Sequence, residues 1–96
     1  MPNVPLVTYP FDPDAFLPFE VNWGPWLEGA TLTTVTWTPS NALVTVESDS
    51  LTEANTVARA WIRGAGNEGE CDVVLRATAS DGRIDDRTIH LRVADR

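Results

Sequence analysis

The sequence predicts an all-β fold: a small antiparallel β-sandwich of about seven strands, preceded by an extended N-terminal arm. Three observations carry this prediction. Apolar residues alternate with period two in one short run after another, and Thr, Val and Trp dominate those runs, as half-buried pleated surfaces prefer. No stretch shows the 3.6-residue apolar stripe of an amphipathic helix. Six of the seven prolines fall within the first 25 residues, where they remove backbone donors and hold the preceding residues extended.

The elements follow in chain order. Residues 1–15 form the arm, with Pro2, Pro5, Pro10 and Pro13, and with Asp12 and Asp14 as its only charged side chains. Its hydrophobes (Val4, Leu6, Val7, Tyr9 and Phe11) are spaced too irregularly for a core strand, yet the segment is too apolar for a solvating tail. Such a segment either offers side chains such as Tyr9 and Phe11 to a neighbour's groove or sheet edge, or it packs as a lead-in on its own domain. The sandwich domain then spans residues 16–96. Its runs are FLPFEVNW (16–23), TLTTVTWT (31–38), LVTVESD (43–49), TVARAWIR (56–63), CDVVLRATA (71–79) and IDDRTIHLRV (84–93). GPWLEG, PSNA, a Leu51–Asn55 stretch, GAGNEGE and SDG separate them, each rich in turn residues. Ninety-six residues allow one domain, which buries about two thirds of its unfolded surface. Short strands without helices at this size suggest an Ig-like sandwich, with a small barrel as the alternative.

The last two runs define a hairpin register. Cys71, Val73, Leu75 and Ala77 must face the same core as Ile89, Leu91 and Val93, and a slip of one residue would expose one set. A three-residue loop Ser80-Asp81-Gly82, with Gly82 in the left-handed region after a type I turn, pairs odd positions with odd ones. Val73 then faces Ile89, while Arg76 lies opposite Asp86 and Asp72 opposite His90 on the outer face. Arg87 falls on the inward side and must snorkel out at the rim. Turn chemistry and cross-strand pairing thus account for the charged cluster at residues 81–90. Asp81, Asp85 and Asp86 lack the spacing of a calcium loop, and interleaved arginines oppose a cation.

Charge excludes further classes. The formal net charge is −7, lysine is absent, and all seven arginines lie at or beyond Arg59. Residues 1–58 carry seven acids and no base. Phosphate backbones need positive charge to release counterions, so nucleic acid is not an expected partner. No apolar run reaches the length of a membrane-spanning helix, and no membrane partner is expected. The Met1-Pro2-Asn3 start lacks the features of a signal peptide, and synthesis in a reducing cytoplasm is the expectation. The single cysteine, Cys71, excludes an intrachain disulfide and a thiolate zinc site. Cys71 falls on the core face and His90 on the outer face, so they do not form a nucleophile–base pair. GAGNEGE lacks the lysine and the following helix of a phosphate loop. A strand-and-turn scaffold this small leaves no room for a deep pocket, and neither catalysis nor a cofactor is expected.

The tryptophans carry the remaining signal. Trp23 and Trp37 belong to the core by their alternation, and Trp26 caps the sandwich end. Trp61 shares its face with Arg59 and Arg63, whereas Ala58, Ala60 and Ile62 form the opposite, inward face. It is therefore a surface residue, either shielded by cation–π contact or serving as an interface anchor, since Trp and Arg are favoured at hot spots. Trp61, Arg59, Arg63, Tyr9 and Phe11 are the candidate protein-binding residues.

With these blocks laid out, the chain resembles the phage fiber-tail adaptor proteins of tailed bacteriophages, from about residue 12 to 93. The resemblance rests on Asp12-Pro13-Asp14-Ala15-Phe16-Leu17, on Asn22-Trp23-Gly24-Pro25-Trp26-Leu27 and on Trp37-Thr38. It continues through Trp61-Ile62-Arg63-Gly64, Gly69 and Gly82-Arg83-Ile84-Asp85-Asp86-Arg87. The pattern departs from the family at Asn22, at Pro18-Phe19 and at Cys71. The resemblance implies a structural virion protein that joins tail or neck to the fibers and is present in multiple copies of a symmetric assembly. Its implied partners are other phage structural proteins, and its implied location is the tail of a virion assembled in the host cytoplasm. An Ig-like capsid decoration protein is the alternative reading.

Overall fold

The computed structural model describes residues 5–94, which form seven strands and one helical turn. The strands are β1 (Pro5–Phe11), β2 (Phe16–Asn22), β3 (Leu32–Pro39), β4 (Val44–Thr52), β5 (Val57–Gly64), β6 (Gly69–Ala79) and β7 (Ile84–Val93), with α1 (Gly24–Leu27) between β2 and β3. They make two sheets, one ordered β1-β7-β6-β3 and the other β2-β5-β4. The fold is all-β, a two-sheet sandwich, as alternation without a helical stripe requires.

The core lies between the sheets because each strand places every second side chain there. Ala58, Ala60 and Ile62 of β5 meet Cys71, Val73, Leu75 and Ala77 of β6 and Ile89, Leu91 and Val93 of β7, all essentially without exposure. Trp23 and Leu27 plug one end of the sandwich beside α1. Trp37 is only partly buried and packs against the core from its margin.

The β6–β7 hairpin has the expected register. Val73 pairs with Ile89, Cys71 with Leu91, Asp72 with His90 and Arg76 with Asp86. Gly82 has φ +93°, and its N–H donates to the Ala79 carbonyl at 3.0 Å, closing the turn.

Two expectations are corrected here. Residues 5–11 are extended, but as β1 within the larger sheet rather than as an arm outside the sandwich. β1 runs parallel to β7, Tyr9 beside Leu91 and Phe11 beside Val93, so that sheet is mixed rather than wholly antiparallel. Alternation within β1 is hidden by its prolines, and its stability comes from long-range contacts that local spacing does not report. Phe11 is wholly buried, and its carbonyl accepts the Ala94 N–H at 3.0 Å. The first four residues of the expected arm, 1–4, lie outside the described residues.

Candidate functional site

The outer face of the smaller sheet gathers three of the expected contact residues. In the antiparallel ladder Phe16 pairs with Arg63, Pro18 with Trp61 and Glu20 with Arg59, while Ser48 of β4 flanks Trp61 from the other side. Because Ala58, Ala60 and Ile62 are fully buried, strand alternation drives Arg59, Trp61 and Arg63 outward together. Their side chains form a stacked ladder. The Arg63 guanidinium sits 4.0 Å from the Phe16 ring centroid, Phe16 lies 5.1 Å from Trp61, and Arg59 lies 5.4 Å from Trp61. Carboxylates close both ends, Glu47 at 3.3 Å from Arg63 and Glu20 at 3.7 Å from Arg59. The second of these is an ion pair too long to be a hydrogen bond.

The other two expected contact residues separate. Tyr9 is 37 % exposed and packs edge-on against Phe19 at 5.4 Å. Phe11 lies beneath them, 5.9 Å from Phe19, with no surface to offer a partner. Its placement as a contact residue is corrected: it is a core residue, because β1 closes over the end of β7. Phe16 and Leu17, 41 % and 45 % exposed, were not singled out from the sequence. For Phe16 the signal was the parity of β2, in which Phe16, Pro18 and Glu20 share one face, but reading it requires knowing that β2 pairs with β5; Leu17 lies on the opposite face, beside Ile62.

The sequence blocks that carry the family resemblance meet one another in space. Asp12 and Pro13 turn the chain from one sheet to the other: the Asp12 carboxylate accepts the Asp14 N–H at 2.8 Å, and the Pro13 carbonyl accepts the Gly66 N–H at 3.0 Å. Gly64 lies against that Pro13 carbonyl so closely that a Cβ there would collide with backbone. Glycine is thus required where Trp61-Ile62-Arg63-Gly64 meets Asp12-Pro13.

The tryptophan block meets the arginine block in the same manner. Trp23 and Trp26 pack edge-to-face at 5.4 Å, with Arg87 4.1 Å from the Trp23 ring and Arg83 4.9 Å from the Trp26 ring. Arg83 also donates to the carbonyls of Trp26 at 2.8 Å and Leu27 at 2.6 Å at the end of α1, the latter shared with the Ala30 N–H at 3.0 Å. Asp81 holds the guanidinium from the other side at 2.8 Å. Arg76 grips Asp86 through two bonds of 2.9 and 3.0 Å, which lowers the Asp86 pKa. These residues fasten turns to sheets.

On the outer face of the larger sheet, His90 lies between two carboxylates, with Nδ1 2.5 Å from Asp72 and Nε2 2.6 Å from Glu70. Both partners favour the imidazolium, and the His90 pKa is raised, first by Asp72 and then by Glu70. Cys71 is buried on the opposite side of the sheet.

Among curated proteins none matches the chain. A family model does, over residues 12–92, and that span holds every block described above from the Asp12-Pro13 turn to Arg87. The match extends over most of the chain, and the protein belongs to the podophage GP4 fiber-tail adaptor protein gp77 family of phage structural proteins.

Proposed function

We propose that the protein joins the tail or neck of a phage particle to its fibers by protein–protein contact, and that the outer face of β2-β5-β4 is a docking surface. The Arg63-Phe16-Trp61-Arg59 ladder carries the reading. Two aromatic rings and two guanidiniums held in fixed stacking present a pre-ordered apolar and cationic strip, the composition that dominates binding energy at interfaces. The strand order supports an Ig-like sandwich, with β2-β5-β4 and β7-β6-β3 lying as B-E-D and G-F-C do in that fold. A scaffold of this kind presents broad sheet faces and suits an adaptor held in several copies of a symmetric particle. The reading includes no catalysis, since Cys71 and His90 lie on opposite sides of their sheet and the charged clusters act as fasteners.

Replacing Trp61 by Ser tests the docking surface. Trp61 is half-buried and outside the core, so the variant is expected to keep its fold by circular dichroism. Its occupancy in purified particles, read by mass spectrometry, is expected to fall steeply, since loss of a hot spot weakens binding by about 30-fold or more. Normal occupancy of a folded W61S protein would move the contact elsewhere.

A further inference from the structure

We infer a second binding site at the open edge of the sandwich between β1 and β2, one that takes a partner segment presenting a large apolar side chain next to a lysine or arginine. The two strands are edge strands of different sheets, and between them Tyr9, Pro10, Leu17, Pro18, Phe19 and Glu20 line a groove of about 420 Å³. That volume lies in the range of about 300–1,000 Å³ used by pockets for small ligands and anchor side chains.

The groove's chemistry selects its occupant. Its floor is built, not incidental: Phe19 is braced on the buried Phe11, and Tyr9 stands edge-on against Phe19 at 5.4 Å. Leu17 faces inward on its strand, opposite the buried Ile62, yet it is 45 % exposed because the sandwich is open at this edge. An apolar side chain entering here would cover surface that the protein's own chain leaves wet.

Both lips carry proline, Pro10 on β1 and Pro18 on β2, and neither has an N–H to offer. A partner strand therefore cannot lay a complete hydrogen-bond ladder along either edge, and recognition falls to side chains. Glu20 is the only ionisable carboxylate in the lining, Asp12 and Asp14 lie in the turn joining the two strands, and residues 1–58 hold no basic residue. Arg59 pairs with Glu20 at 3.7 Å from the outer face, a separation too long for a hydrogen bond, and does not itself line the groove. The carboxylate therefore keeps acceptor sites for a second cation. A cationic neighbour to the apolar anchor completes the match.

The test uses the isolated protein and synthetic octapeptides, followed by NMR. One peptide set carries a central Leu or Phe followed by Lys or Arg; a second replaces the base with Glu; a third replaces the apolar residue with Ser. The first set is expected to move the resonances of Tyr9, Leu17 and Phe19, with affinity about tenfold above the acidic set and falling with salt. Glu20→Gln should narrow that preference, and Leu17→Ser should weaken binding of all peptides. Equal binding of acidic and basic sets, or no shift at millimolar peptide, overturns the proposal. Concentration-dependent shifts of the same resonances without peptide would assign the groove to a second copy and overturn it as well. Glu20 touches both sites through Arg59, but Leu17 and the peptide titration read the groove and not the ladder, so their failure leaves the Trp61 particle test standing.

Discussion

Arg83 does more for the architecture than any other single charged side chain described. One guanidinium bonds two backbone carbonyls of α1, pairs with Asp81 and lies over Trp26, so it ties the β6–β7 turn to the segment leading into β3. Only a planar fork with several donors reaches all of these at once; an ammonium satisfies one direction at a time. Arg83→Ala is expected to lower unfolding stability by about 2 kcal/mol, because the Trp26 and Leu27 carbonyls lose charged donors. Arg83→Lys should recover less than half of that loss. Urea denaturation of both variants checks the order. Equal stabilities of the alanine and native proteins would mean that water replaces the guanidinium without cost.

At the scale of the element, β1 repays the closest attention. Proline-rich and irregular, it looks like an arm, yet it pairs in parallel with β7 from Pro5 to Phe11 and sinks Phe11 into the core. Removing residues 1–11 would expose the β7 edge and empty the Phe11 site. Deleting a buried Phe side chain alone costs about 3–5 kcal/mol, a large share of a small domain's stability. The truncated protein is therefore expected to be unfolded or to aggregate, as read by near-ultraviolet circular dichroism and gel filtration. A native-like spectrum would show that β7 stands without its parallel neighbour. The other edges carry their own protection: register shifts interrupt β3 between Leu32 and Thr34 and β4 between Val46 and Ser48, and such bulges discourage edge-to-edge pairing.

For the whole molecule, stability should depend on pH through both ends of the titration range. Asp81, Asp86 and Glu70 have lowered pKa values, from the backbone N–H of Arg83, from Arg76 and from His90 respectively. Their contribution is present above the ordinary carboxylate values of about 3.8–4.5 and is lost as pH falls through the lowered native ones. His90 behaves in the opposite sense. Its raised pKa gives stability that is complete below about 6.5 and lost as pH rises through the native value, since a neutral ring can donate to only one of Asp72 and Glu70. Melting temperature is expected to be highest between about pH 5 and 6 and to decline on the alkaline side. His90→Gln should flatten that decline and leave the acid limb in place. An unchanged alkaline slope in the variant would exclude His90 as its source.

Local pattern was enough for much of this protein. Period-two alternation located six of the seven strands, and parity together with Gly82 set the β6–β7 register down to the Arg76–Asp86 pair. It also turned Trp61, Arg59 and Arg63 outward, because a strand shows its two faces within a few residues of sequence. The rest depended on partners distant in the chain. β1 is a strand because β7 lies beside it, Phe11 is buried because the sheet end closes over it, and Phe16 joins Trp61 because β2 pairs with β5. The groove exists because β1 and β2, neighbours in sequence, belong to different sheets and leave their shared edge open. Alternation reports what a residue's own strand does with its faces; which strands meet, and where they fail to cover one another, is settled by long-range packing.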